Sequence, residues 1–366
     1  MSDKQKTIVS LTFLKETCDA ALTSVAAADG VVPDDLAHLQ TTDFAVIHKD
    51  FTSLLAYLYS ATTKTAISLK PSSPTYSASL SPLKDLSTNI SNLSHNVRLV
   101  QKAHGATVLK ELQSAARSVI SAIQGLAETL LSDTAATKEP SDVYLSKVGE
   151  VHDAIDKLRS GTDGLSSNNV TAVRKLWAAD QSSLSDALRE LQEIPESGDD
   201  NDFDDGWDEL GIDSSSNKLS PAELERLRKV ESIVKLCNLM HKTVVKRVFS
   251  APLQNAPVQQ EINSIVDILA NDSPTLPAAV DDLIATVYSP QEKEEMLDQL
   301  HHLDGVIDRI KSHIDSLFAL EPVGDLLKEA TGTGKKTPDV KRWFGTCFEE
   351  IKKLIVQMST TLQDAQ

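Results

Sequence analysis

The chain has 366 residues, of which 24% are charged and 4% aromatic, with a formal net charge of −17. This length suggests two or three domains, and the acidic balance argues against nucleic-acid binding through a broad basic face. Few aromatics beside abundant Ala, Leu, Ser and Thr favour close-packed helices over a β-sandwich, and no window approaches the uninterrupted apolar run of a membrane span.

The first helix is expected from about Lys4 to Ala28, with the stripe Leu11, Leu14, Cys18, Ala21, Val25 and Ala28, ended by Gly30 and Pro33. The second follows Thr42 and carries Phe44, Ile47, Phe51, Leu54, Leu58, Ala61 and Thr65. A third is expected to begin at Ser81-Pro82, with Leu83, Leu86, Ile90, Leu93, Val97 and Val100. The fourth holds Leu109, Leu112, Ala116, Val119, Ile123, Leu126 and Leu130, and the fifth Tyr144, Val148, Val151, Ile155 and Leu158. A sixth, with Val170, Val173, Trp177, Leu184, Leu188 and Leu191, closes at Pro195. The spacing alternates between three and four with few breaks, the repeat of antiparallel bundles, and no two-residue strand alternation is sustained.

Between Glu196 and Asp213 stand nine carboxylates and no Lys or Arg. Like-charge repulsion, three glycines and few apolar groups make disorder the expected state of residues 196–218. Phe203, Trp207 and Leu210 nevertheless fall at i, i+4, i+7, the spacing of peptides that fold into a partner's groove. Two readings stay open: a docking motif, or a solvated linker whose aromatics tuck against the protein's own helices. Acidic flanks would speed encounter with a basic surface.

After this stretch Ser220-Pro221-Ala222-Glu223 reads as a capping box with proline at the first helical position. Its helix runs through Leu227, Val230, Val234, Cys237, Met240, Val244 and Val248. A shorter pair follows at about Val258–Ala270 and Leu276–Val287. Ser289-Pro290-Gln291-Glu292 reads as a second capping box, opening a helix with Met296, Leu300, Leu303, Ile307, Ile310, Ile314 and Leu317. The last helix starts at Thr337-Pro338 and carries Val340, Phe344, Cys347, Ile351, Leu354, Met358 and Leu362. The fold class is therefore all-α: an N-terminal antiparallel bundle over 1–195, an acidic linker over 196–218 and a C-terminal antiparallel bundle over 219–366.

Chemistry-bearing patterns are weak. TGTGKK at 331–336 lacks the glycine spacing, the Ser or Thr after the lysine, and the preceding strand of a phosphate loop. His301 and His302 cannot share one helix face, and the paired Glu-x-x-His motifs of a di-metal bundle are absent. No catalytic residue, cofactor or metal is expected. Cys18, Cys237 and Cys347 are scattered, which reads as reduced thiols in a cytosolic or nuclear protein, and the N-terminus lacks the apolar run of a signal peptide. Of six Ser/Thr-Pro pairs, Ser81-Pro82-Leu83-Lys84 has the basic residue that proline-directed cell-cycle kinases favour, so Ser81 is a candidate phosphosite.

One stretch is more specific. Ser273-Pro274, Val280-Asp281-Asp282-Leu283 and Val287-Tyr288-Ser289-Pro290 resemble the C-terminal signature of the cyclin-D-binding, or cyclin-D-interacting (GCIP-like), proteins. The resemblance implies a two-domain helical protein of cytoplasm and nucleus. It further implies binding to cyclin D-like, adaptor or helix-loop-helix proteins and restraint of cell-cycle progression or transcription, with no catalytic residues. Physically, Asp281 and Asp282 are expected to open a helical turn while Val280, Leu283, Val287 and Tyr288 bury one face, with Pro290 following. The rival class is a cytoskeletal or scaffold module of the talin and vinculin type, whose Ala/Ser/Thr-rich bundles share this pattern.

Overall fold

A computed structural model describes residues 1–39, 43–135, 142–161, 164–194, 219–250, 253, 259–320, 323 and 339–364. No strand occurs among them, and the expected all-α, two-bundle class is the one observed. The described chain forms two compact units, Met1–Ala172 and Val173–Gln366.

The first unit contains α1 (Asp3–Ala26), α2 (Phe44–Ser68), α3 (Tyr76–Arg98), α4 (Ala106–Ala135) and α5 (Val143–Arg159). Ser2 and Gln5 form a capping box that starts α1, and the stripe Leu11, Leu14, Cys18, Ala21, Val25 is buried as its spacing requires. α1 lies against α3 and α4, α2 against α3 and α5, and α4 against α5, so the five helices close a ring around one core. The Gln113 side-chain amide donates to the carbonyls of Val25 and Ala28, and that of Gln124 donates to Asp19, which orders α1 and α4 as antiparallel neighbours. At the other side Thr7 Oγ1 donates to the Tyr76 carbonyl and pairs with the Ser79 hydroxyl at 3.1 Å, which brings the N-terminal ends of α1 and α3 together.

Two expectations for this unit are corrected. α3 begins at Tyr76, not at Ser81-Pro82, and Pro82 is buried inside the helix. The missing N–H of Pro82 leaves the Ala78 carbonyl without its helical donor, but the Thr7–Ser79 contact and the Leu83, Leu86, Ile90, Leu93 stripe hold the extra turn in place. In α2 Leu55 joins Phe51 and Leu58 as fully buried, in place of Leu54, which is only partly covered.

α3 passes to α4 through Gly105, whose φ of +109° is accessible to glycine and strained for other residues. A Cβ there would lie 2.0 Å from Asn169 Cγ. Asn169 comes this close because its Oδ1 accepts the Val108 N–H at 2.9 Å, satisfying a donor in the first turn of α4.

The second unit contains most of α6 (Asn169–Glu193), then α7 (Pro221–Thr243), α8 (Gln259–Asp272), α9 (Thr275–Ala285), α10 (Lys293–Phe318) and α11 (Val340–Asp364). The Ser220 capping box and N1 proline of α7 form as expected. α10 packs on α8, α9 and α11, and α11 on α7. Lys229 of α7 donates to Thr361 near the end of α11, and Phe318 at the end of α10 meets Phe344 near the start of α11 at 6.0 Å, so these neighbours run antiparallel; Lys352 also pairs with Asp308 at 2.7 Å. The Ser289-Pro290 box does not form: α10 starts at Lys293 with Glu292 at its cap and no side-chain cap bond. Gln291 is engaged elsewhere. Its N–H donates to Glu223, its side-chain amide donates to the Glu223 and Val287 carbonyls, and its Oε1 accepts from Arg226.

The sequence reading ends the first block at 195, whereas the compact units divide after Ala172. The reason lies in what α6 touches beyond that point, described next. Residues 196–218, which include Phe203, Trp207 and Leu210, and the loop 331–336 lie outside the described residues.

Candidate functional site

Two places in the fold gather chemistry, a polar seam in the second unit and an apolar groove in the first. The seam begins at Trp177, which is fully buried and donates its indole N–H to the Leu269 carbonyl at 2.9 Å. Its ring stacks on His241 at 4.6 Å and meets Phe249 edge-on at 5.8 Å. The π-helical turn Val244–Val248 that extends α7 delivers Phe249 to this spot. Gln181, one turn after Trp177, contacts His241 Nδ1 at 3.1 Å through Oε1 and donates its amide to Asn238. Ser273 donates to Asp180, and Tyr288 donates to Glu190. α6 thus follows the α8–α9 segment from Leu269 to Tyr288 and runs antiparallel to α7.

Burial pushes His241 down to about 4, so the imidazole is neutral at physiological pH, as a group with no anionic partner in a stacked apolar setting must be. Its Nε2 has no hydrogen-bond partner among the described residues. The Tyr288 hydroxyl is raised to about 12, first by its hydrogen bond to Glu190. At the far end of α8, Asp272 is buried and takes His313 at 2.6 Å and Arg309 at 3.1 Å. Apart from His241 Nε2, these groups pair with one another across helices. Among the described residues no cluster of His, Cys, Asp or Glu is placed to hold a metal. His301 and His302 are both exposed. The seam ties helices together.

The signature residues fall on this seam in roles partly different from those expected. Val280 and Leu283 are fully buried, as is Val287. Asp281 and Asp282 do not open a helix: α9 starts at Thr275, so both lie in its second half and face outward. Burial, then the charge of Glu190, raises the Asp281 carboxyl. Tyr288 is not buried but 44% exposed, since its hydroxyl reaches outward to Glu190, and Pro290 is exposed. Ser81 is exposed on α3, inside the helix rather than at its cap.

Sequence models of one family match along most of the chain. The model described as Grap2 and cyclin-D-interacting, N-terminal, matches residues 50–197, and its C-terminal counterpart matches 203–312. The chain belongs to the Grap2 and cyclin-D-interacting family. The C-terminal match takes in the whole signature from Ser273 to Pro290, and the N-terminal match takes in α3 to α6. No curated protein matches the chain. The family name speaks of interaction with proteins.

The groove was not foreseen. It is an open trough of about 580 Å³ between α1 and α3 in this cyclin-D-interacting family member, with Val9, Phe13 and Leu80 as apolar walls. Val9 and Phe13 are 54% and 59% exposed. The signal was present in sequence: Val9 and Phe13 are apolar at i, i+4, off the stripe that α1 sends to the core.

Proposed function

We propose that the chain is a non-enzymatic regulatory binding protein of cytoplasm and nucleus. It engages cyclin D-like, adaptor or helix-loop-helix partners through helix faces and restrains cell-cycle progression or transcription. The observation that carries this reading is the pair of family matches over 50–197 and 203–312. Support comes also from the character of the fold. Its buried polar groups are spent on interhelical ties, and its three thiols are buried rather than poised for reaction. No observation favours the talin and vinculin type of module, which rested on the bundle pattern alone.

The test is direct binding of a purified D-type cyclin and of a helix-loop-helix domain to the full chain, by isothermal titration. Saturable binding of either supports the reading. Absence of binding by both, with the chain shown folded by circular dichroism, refutes it. The Phe203→Ala/Trp207→Ala variant, assayed in parallel, decides whether the acidic stretch takes part.

A further inference from the structure

We propose that the α1/α3 groove is the docking site for an acidic amphipathic helix of a partner protein. The proposal rests on reading the chain as a partner-binding protein and names the surface and the chemistry of what it binds.

Three features of the groove select this occupant. The first is shape. α1 contributes residues 6 to 13 and α3 contributes residues 80 to 91. At 1.5 Å per residue the walls run for about 10–16 Å, which accommodates two to three turns of helix. The ends of α1 and α3 lie in register through Thr7 and Ser79, so the two ridges flank a continuous trough.

The second is polarity. Val9, Phe13 and Leu80 present apolar surface, and the hydroxyls of Ser87 and Ser91 donate back to carbonyls of their own helix. These two hydroxyls therefore make little demand on an occupant, and an apolar stripe at i, i+4, i+7 fits the apolar surface between them. Exposed Phe13 with Val9 beside it forms an apolar patch of the kind that marks an interaction site, and aromatic residues such as Phe are enriched in interface cores.

The third is charge. The charged residues lining the groove are Lys6 and Lys84, and no carboxylate lines it. Lys84 makes no ion pair among the described residues, and Lys6 pairs only with Asp3, both side chains being about half exposed. The whole chain carries −17, yet at physiological salt charges beyond about 8 Å are screened. Lys84, together with Lys6 that Asp3 partly offsets, therefore supplies the charge lining the groove, which favours a helix whose apolar stripe is flanked by Glu or Asp.

The test uses the full chain and two synthetic helical peptides labelled with fluorescein. Both carry the same Leu/Phe stripe at i, i+4, i+7; one is flanked by Glu and the other by Lys. The acidic peptide is expected to bind at least about tenfold more tightly, an advantage that shrinks as salt rises. Val9→Ser/Phe13→Ser, at exposed positions, is expected to weaken the acidic peptide at least about tenfold. Lys6→Glu/Lys84→Glu is expected to abolish the preference between the two peptides while leaving the circular dichroism spectrum unchanged.

Equal affinity for both peptides, or an acidic peptide indifferent to both double variants, overturns the proposal. So does a dimer that becomes monomeric in Val9→Ser/Phe13→Ser, which would make the groove an interface between copies. Binding of the probe only after Phe203→Ala/Trp207→Ala would likewise overturn it, since the chain's own acidic stretch would then be the occupant. A D-type cyclin that binds wild type and groove variants alike would sink the groove while leaving the regulatory reading intact. Peptide binding without any cyclin or helix-loop-helix binding would do the reverse.

Discussion

Replacing Trp177 by alanine tests which core α6 serves. Trp177 is fully buried, and removing so large a side chain from a packed site costs about 3–5 kcal/mol. The stack on His241 adds about 1 kcal/mol. The lost indole hydrogen bond adds about 1 kcal/mol rather than a full desolvation penalty, because the Leu269 carbonyl also accepts from the Ser273 N–H and is not stranded. The expected loss is about 5–7 kcal/mol, a large share of the ~5–15 kcal/mol that holds a typical domain. Because Leu269, His241 and Phe249, the partners of Trp177 described above, lie in the unit Val173–Gln366, the loss is expected to fall on that unit. Hydrogen exchange read by mass spectrometry reports this directly: protection drops in α7, α8 and α9 and is retained in α1 to α5. Trp177→Phe keeps most of the ring and is expected to lose about half as much. If α1 to α5 lose protection first in Trp177→Ala, or if the variant costs under about 1 kcal/mol, the assignment of α6 to the second core is refuted.

Other consequences are as specific. His241 has a folded value near 4 against about 6.5 unfolded, so between these values the unfolded chain binds the extra proton. Stability is full above about pH 6.5 and falls as pH drops toward 4, by up to roughly 3 kcal/mol; urea midpoints at pH 7 and pH 5 measure it, and His241→Gln flattens the dependence. Gly105→Ala forces a Cβ against Asn169 and breaks the cap on Val108, and is expected to cost more than about 2 kcal/mol in thermal or chemical unfolding. Gly305→Ala, in an exposed interior turn of α10 where a Cβ meets nothing within 4 Å, is expected to stabilise by about 0.5–1 kcal/mol. Burial lifts Cys18 and Cys237 to about 12 and Cys347 to about 11, so at pH 8 the thiolate fraction is on the order of one in a thousand or less. Iodoacetamide is expected to label the native protein far more slowly than the urea-unfolded one, and fast labelling of any thiol in the native state would contradict this burial.

The amino-acid sequence by itself determined the helices, because periodicity and capping are local. The stripe of α1 and the Ser220 box need only residues three or four apart to be right; the box appears as read and the stripe does from Leu11 to Val25, with Ala28 falling just past the helix end at Ala26. The signature from Ser273 to Pro290 was legible as a match of residues, though not in what those residues do. Tyr288 could be assigned its exposed place only once Glu190, 98 positions away, stood beside it. Pro82 looked like a helix start until Thr7 met Ser79 across 72 positions and kept the preceding turn helical. An apolar stripe says that a helix is buried and not what buries it. Which core α6 joins was decided by where the Trp177 N–H, Gln181 and Asp180 find partners, at Leu269, His241 and Ser273. The groove was set in the same way, since Val9 and Phe13 become a surface only when α3 packs beside α1 and leaves them uncovered. Local pattern fixes secondary structure because its hydrogen bonds close within one turn. The choice of neighbour waits for folding because buried polar groups must be satisfied, and apolar faces covered, by residues far away along the chain.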